Sequence, residues 1–558
     1  MKIKRISVFI APAVGVVLFT GVAASVPTQQ AYLKASNTER IDWFGSSVAV
    51  SANTVVIGAP QEDSDAFGVN RDQYNNRSIN SGAAYILVRN GTQWDHQAFL
   101  KASNTSADDR FGHSVAVSGD TVVVGAFAES SQATGVNGDQ GNQNATNSGA
   151  VYVFVRSGTN WSQQAYVKAF NTMTGDHFGA AVAISGDTMV VGAPYEDSNA
   201  TGVNGNGVYT GSFSDRGAAY VFVRNGSNWS QQAYLKGSNT DPFDNFGIAV
   251  AISENTIVIG ASGEDSNATG VNGNQTNNAV VQSGAAYVFV RSGSNWIQQA
   301  YLKSPNTQVE GLFGHAVSAS DDTVVIGALG EGSGSGAAYV FVRNGTNWSQ
   351  QGYLRASNMD ARDQFGWSVA LSGETVAVGA PFEDSNATGV NGNQTDNSGY
   401  ESGAGYVFVR EGTNWSQQAY LKASNTGGAP LPNETGDYFG MAMAVSGDTV
   451  VAGSVAEASN ATGVNGDQDN NLAGGAGAAY VFSGLGVGPR LALGLDSGDG
   501  LVIRFKGAPD ITYRLQRAAS ALGPWDTIAF RTAPISGWIE YHDAPPPSGQ
   551  SFYRAVQP

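Results

Sequence analysis

The dipeptide Phe-Gly opens a repeated unit at Phe44, Phe111, Phe178, Phe246, Phe313, Phe365 and Phe439 of the 558-residue chain. Four of the six intervals are 67 or 68 residues; one is 52 and one is 74. A period of this kind means that one supersecondary unit recurs and buries its apolar face against its neighbours. Each unit reads like FGHSVAVSGDTVVVGAF (Phe111–Phe127), then a polar loop, then SGAVYVFVRSGTNWSQQAYVKA (Ser148–Ala169). This predicts four short strands: Ser114–Val117, Thr121–Gly125, Ala150–Arg156 and one starting at Trp161. Gly119 supplies the positive φ of a type II′ turn between the first two, as do Gly186, Gly373 and Gly447. Ala52, Glu254 and Asp321 replace it in units 1, 4 and 5, where the turn is expected to differ.

Seven units of four strands predict an all-β, seven-bladed β-propeller. The unit exceeds the roughly 40–50 residues of common propeller repeats because of its loop. EDSNATGVNGNQT stands unchanged at Glu264–Thr276 and Glu383–Thr395, whereas unit 5 runs from Gly327-Ala328-Leu329 through GEGSGSG directly into its third strand. The loop therefore decorates a blade that can be built without it. Unit 7 ends at Gly477–Gly484 with no strand after it, and the missing QQAYLKA strand lies at Gln29–Ala35. The N-terminal strand is expected to complete the last blade and close the ring, removing two open sheet edges.

These residues resemble the FG-GAP repeat family, the propeller type of integrin α chains. Besides the Phe-Gly pairs, the second half of the signature stands as Gly58-Ala59-Pro60, Gly192-Ala193-Pro194 and Gly379-Ala380-Pro381. It is degenerate at Gly125-Ala126-Phe127, Gly260-Ala261-Ser262, Gly327-Ala328-Leu329 and Gly453-Ser454-Val455. The resemblance implies an extracellular binding or adhesion role. It does not carry over the family's usual calcium loop between the first two strands, because only a tight turn such as Gly186-Asp187 stands there.

Residues 1–24 carry a basic tip, MKIKR, an apolar stretch and Val22-Ala23-Ala24, the pattern of a secretory signal peptide. Residues 25–484 are expected to be the propeller, 485–490 a linker and 491–558 a small β-sandwich module resembling fibronectin-III-like domains. The absence of cysteine excludes a disulfide framework and a thiol nucleophile, and points weakly to a bacterial source. The formal charge of −17 disfavours nucleic acid. The expectation is a secreted or cell-surface monomer with no membrane span in the mature chain.

A glutamate follows the second strand in every unit: Glu62, Glu129, Glu196, Glu264, Glu331, Glu383 and Glu457. An aspartate stands two residues before the Phe in six: Asp42, Asp109, Asp176, Asp244, Asp363 and Asp437. Residues shared by all units serve the blade first, pinning loops by accepting backbone N–H bonds. A sharper reading gives the loops of units 1, 3, 4 and 6 an oxygen-rich shell of the kind Ca2+ prefers. Its ligands would be Glu62, Asp63 and Asp65; Glu196 and Asp197; Glu264 and Asp265; Glu383 and Asp384. Trp94, Trp161, Trp229, Trp296, Trp348 and Trp415 recur and are expected to pack blades. Trp43 and Trp367 flank Phe-Gly in units 1 and 6 only, and are candidates to face a ligand. The five histidines form no metal-binding spacing; His113 and His315 share one position, which favours packing. No nucleophile elbow, phosphate loop or zinc motif is present. The function expected is non-enzymatic recognition of an extracellular protein or polysaccharide by loops on one face. The alternatives are a polysaccharide-active enzyme and a structural envelope component.

Overall fold

The computed structural model describes residues 27–209, 214–426, 436–485, 491–495, 501–506, 512–518, 524–533, 538–543 and 552–556. The expected signal peptide and nearly all of the expected linker lie outside them. Blade 1 consists of Ser47–Ser51, Thr54–Ala59, Ala83–Asn90 and Gln93–Leu100, paired antiparallel in chain order. Blades 2 to 6 repeat this meander, ending at Val167, Leu235, Leu302, Leu354 and Leu421. Blade 7 takes Phe439–Ser446, Thr449–Ser454 and Ala478–Ser483 from the end of the ring, and its fourth strand is Thr28–Leu33. That strand pairs antiparallel with Ala478–Ser483, Tyr32 opposite Tyr480. The N-terminal strand thus closes a seven-bladed ring.

Closure is visible at atomic level in circular sets of contacts. The first strand of each blade packs on the first strand of the next, all the way round. The Ser51 hydroxyl of blade 1 accepts the N–H of Gly119 in blade 2, and with its six equivalents this makes seven such bonds at 2.9–3.3 Å. The last of them returns from Ser446 to Ala52. The residue whose N–H is held has φ of 51–62° in every blade, including Ala52, Glu254 and Asp321. The expectation of different turns in units 1, 4 and 5 is therefore corrected. The ring bond and the two-residue register fix the same turn, and those three residues absorb the cost of a left-handed backbone.

The signature residues have a steric origin. The glycine of each Phe-Gly pair has φ of 89–94°, and its carbonyl presses on the Gly-Ala glycine of the preceding blade. A Cβ on that second glycine would stand 1.9–2.1 Å from the carbonyl oxygen in all seven cases. Glycine is needed on both sides of this close backbone approach. The phenylalanines are buried, each meeting a third-strand tyrosine at ring-centroid distances of 5.2–5.6 Å. The recurring tryptophans are also buried or nearly so. Trp161 donates to Gln97 of the previous blade under the Arg156 guanidinium, consistent with blade packing.

Beyond residue 490 the described strands form two antiparallel three-stranded sheets. One holds Leu491–Leu495, Leu501–Lys506 and Trp538–Asp543; the other holds Asp526–Thr532, Thr512–Ala518 and Phe552–Val556. They share a core of Ile503, Phe505, Tyr513, Leu515, Ile539 and Tyr553. Among the described residues no helix is long and apolar enough to cross a membrane.

Candidate functional site, the looped face of the propeller

The link into each blade and the loop between its second and third strands emerge together. Under them, every blade but the fifth buries the same Glu–Lys–Asn core of a polar cluster. In blade 2 the Glu129 carboxylate receives Lys168 Nζ at 2.8 Å, Asn104 Nδ2 at 2.9 Å and Tyr166 Oη at 3.0 Å. Lys168 also donates to Ser148 Oγ at 2.7 Å, and Asn104 Oδ1 accepts from Tyr152. Since Asn104 follows the fourth strand of blade 1, the cluster ties neighbouring blades together. The same ion pair joins Glu62 to Lys101, Glu196 to Lys236, Glu264 to Lys303, Glu383 to Lys422 and Glu457 to Lys34, at 2.6–2.9 Å. Burial lowers the pKa of each of these lysines, and the glutamate opposes that shift. The lysines are the main functional-site residues that sequence reasoning missed.

The aspartates before Phe-Gly are buried as well. Asp42, Asp109, Asp176, Asp244 and Asp363 each accept the backbone N–H three residues earlier at 2.8–2.9 Å. Burial raises their pKa to about 8, and to about 7 for Asp363.

This arrangement bears on the calcium expectation. Glu62, Glu196, Glu264 and Glu383 already hold a buried ammonium at one carboxylate oxygen and an asparagine amide at the other. Asp63, Asp197, Asp265 and Asp384 accept backbone N–H bonds from Asn80, Ser214, Gln282 and Glu401 at 2.6–2.7 Å, pinning the far end of each loop. Asp65 is exposed on its loop, 3.8 Å from Arg77. Among the described residues no group of three or more acids or histidines is placed to hold a metal ion. As arranged, this donor set does not fit calcium, since the cation would have to displace a lysine.

Nearer the axis the blades stop being alike. The residue directly before Phe-Gly is Trp43, Arg110, His177, Asn245, Leu312, Gln364 or Tyr438, a different side chain in each blade. The backbone holds all seven left-handed, at φ of 53–60°. Trp43 is exposed and the other six are half-buried. Aromatic side chains join across blades in two arcs. His113, Phe127, His177 and Tyr195 follow one another at centroid distances of 4.4–5.0 Å. His315, Trp367, Phe382 and Tyr438 do so at 5.1–5.7 Å. Of the two tryptophan candidates, Trp367 lies inside an arc and Trp43 stands outside both. Although His113 meets water, the protein around it pushes its pKa down to about 4, helped by His177 and Arg110. The signal that sequence reading passed over was the contrast between invariant neighbours and a position that never repeats.

A closed ring of seven four-stranded antiparallel blades, with its variable side chains gathered on the looped face, defines a seven-bladed β-propeller. The FG-GAP repeat family matches residues 27–87, 94–154, 161–222, 229–289, 296–341 and 348–408, more than half of the chain. The protein belongs to the FG-GAP repeat family. Each match runs from a fourth strand into the first three of the next blade, so the sequence repeat is offset from the blade by one strand. The seventh blade takes its first three strands from beyond those six spans and its fourth, Thr28–Leu33, from within the first. No curated protein matches the chain.

Proposed function

We propose that this is a non-enzymatic extracellular binding or adhesion protein whose looped propeller face engages a surface protein or glycan. The observation that carries the reading is the set of seven unlike residues before Phe-Gly. Seven closely similar scaffolds hold this position in one backbone conformation and give it a different side chain each time. Variation on a rigid frame is how scaffolds present recognition surfaces. The two aromatic arcs beside it supply flat apolar area at low conformational cost. The loop tips add Phe67, Tyr74, Tyr400 and Leu472, all exposed. The seven recurring glutamates do not suit acid–base chemistry, since six hold a buried lysine in their own blades and Glu331 is held by two tyrosine hydroxyls. The proposal places the protein outside the cell, follows the signal-peptide reading of residues 1–24, and invokes no metal.

The test is retention of residues 25–558 on cells and on insoluble polysaccharides, beside a Trp43→Ala/Trp367→Ala double variant. The expected result is retention by the parent protein and at least tenfold weaker retention by the variant, with melting of the propeller little changed. Equal retention of the two proteins, or none by the parent, overturns the reading.

A further inference from the structure

The Gly-Val-Asn part of the repeated loop has a job that its polar composition conceals. In six blades it runs along the outer edge of the fourth strand and pairs with it. In blade 2, Asn137 N–H donates to Tyr166 O at 2.7 Å and Lys168 N–H to Gly135 O at 2.8 Å. Tyr166 N–H donates to the Asn137 side-chain oxygen at 3.0 Å, so the asparagine completes the ladder. Val136 bridges Val167 and lies partly buried against the core. The same bridge is made by Val69, Val203, Val271, Val390 and Val464. The same three hydrogen bonds recur in blades 1, 3, 4, 6 and 7.

Blade 5 has no such segment. Its connection is a short turn, Glu331–Gly334, in which Gly332 and Ser333 are left-handed. The corresponding edge groups, the N–H and C=O of Tyr353 and the N–H of Arg355, have no partner among the described residues. Leu354 makes no outer bridge. Tyr353 is 44 % exposed, whereas Tyr166, Tyr234 and Tyr32 are each 2 % and Tyr301 and Tyr420 fully buried. Arg355 stands where six blades place lysine, and its Nε is buried without a partner. This edge is bare in a molecule that covers the same edge six times.

We propose that the outer edge of blade 5 at Tyr353–Ala356 is a strand-addition site for an extended peptide segment of a partner protein. The segment would carry a branched apolar residue followed by asparagine. The six internal segments define the occupant. The main chain answers the Tyr353 and Arg355 backbone groups, the asparagine side chain accepts the Tyr353 N–H, and the branched residue sits over Leu354. Adding a strand to an exposed edge is a common mode of peptide capture, with affinity from main-chain bonds and selectivity from alternate side chains. The site lies at the outer edge of blade 5 rather than at the residues flanking Phe-Gly, and it does not depend on what that face binds.

The experiment uses the whole protein and a labelled, end-blocked peptide copying Ser385–Gly392. Saturable binding is expected, at least tenfold weaker for the peptide with Asn391→Ala. Replacing the blade 5 connection with that of blade 6 fills the edge in cis and should abolish binding, with the protein still folded. The Trp43→Ala/Trp367→Ala variant should bind the peptide normally, which separates this proposal from the preceding one. Hydrogen exchange on the free protein should find the Tyr353 and Arg355 amides at least a hundredfold less protected than those of Tyr166 and Lys168. No peptide binding, binding that survives the graft, or equal protection overturns the proposal. Self-association that the graft abolishes would also overturn it, because the occupant would then be a second copy of this chain.

Discussion

Blades 2 and 5 share strand lengths, the Phe-Gly and Gly-Ala pairs and the ring contacts, and differ most in one connection. In blade 2 the long loop covers the fourth strand, and Glu129 and Lys168 are sealed from water beneath it. In blade 5 the loop is gone, the lysine is an arginine, and the pair has opened to 3.8 Å with the arginine side chain 22 % exposed. Glu331 is held instead by the Tyr339 and Tyr353 hydroxyls. The loop is thus dispensable for building a blade, yet it decides whether the polar cluster is interior or peripheral. The largest effect that would sharpen this contrast is from Lys168→Met. It strands the Glu129 carboxylate in a dry site, and breaking a buried pair from one side costs about 3–5 kcal/mol. Arg355→Met should cost about 1 kcal/mol or less, because its partner keeps two hydroxyl donors and the pair is part-exposed. Urea midpoints measure both, and equal losses would break the comparison.

The blades also differ in how they answer pH. Asp42, Asp109, Asp176, Asp244 and Asp363 have folded-state pKa values raised to about 7 or 8 by burial. Blade 5 has Gly311 at that position. A carboxyl with a raised folded pKa binds its proton more tightly folded than unfolded. Its contribution is full below the ordinary aspartate range and is lost as pH rises through the folded value. His113, His177 and His315, lowered to about 4, act with the opposite sign between about pH 4 and 6.5. Above pH 6.5 the histidines no longer contribute, and the six buried lysines, lowered by burial, oppose the aspartates only as pH nears their folded values. Melting temperature should therefore fall by roughly 3–6 °C between pH 6.5 and 8.5. Asp109→Asn, which keeps the acceptor for the Ser106 N–H, should flatten the slope by about one part in five. A melting temperature that rises over this interval would show these aspartates ionised in the fold.

The ring was legible in the sequence because its causes are local and repeated. Phe-Gly and Gly-Ala mark a close backbone approach that only glycine permits, and the displaced QQAYLKA strand announced closure. Two things were not legible. A polar segment such as Gly-Val-Asn-Gly has no strand alternation, so its pairing shows only once the fourth strand lies beside it. The buried lysines look like ordinary polar residues after a strand, and burial is set by a loop that arrives about 30 residues earlier in the chain. A clue did exist within the chain. Arg355 replaces lysine in the one unit that lost its loop, which ties the two features together. The turn at Ala52 was misjudged for a related reason: the Ser446 hydroxyl that holds it is 394 residues away.

The smallest expected effect separates the same two kinds of blade by a null result. If the acids of units 1, 3, 4 and 6 formed calcium sites, removing the ion would leave paired carboxylates facing each other, and those blades alone would loosen. The arrangement found gives each glutamate its counter-charge from within the chain, and gives Asp63, Asp197, Asp265 and Asp384 a backbone N–H to hold. A chelator should then shift melting by less than about 1 °C, within the small changes expected when no bound ion is lost. Excess calcium should likewise leave the amide exchange of Lys101, Lys236, Lys303 and Lys422 unchanged. Calcium-dependent protection of these four amides, with Arg355 unaffected, would show that the ion displaces lysine after all. The Glu-Asp pairs would then be ligands rather than fasteners.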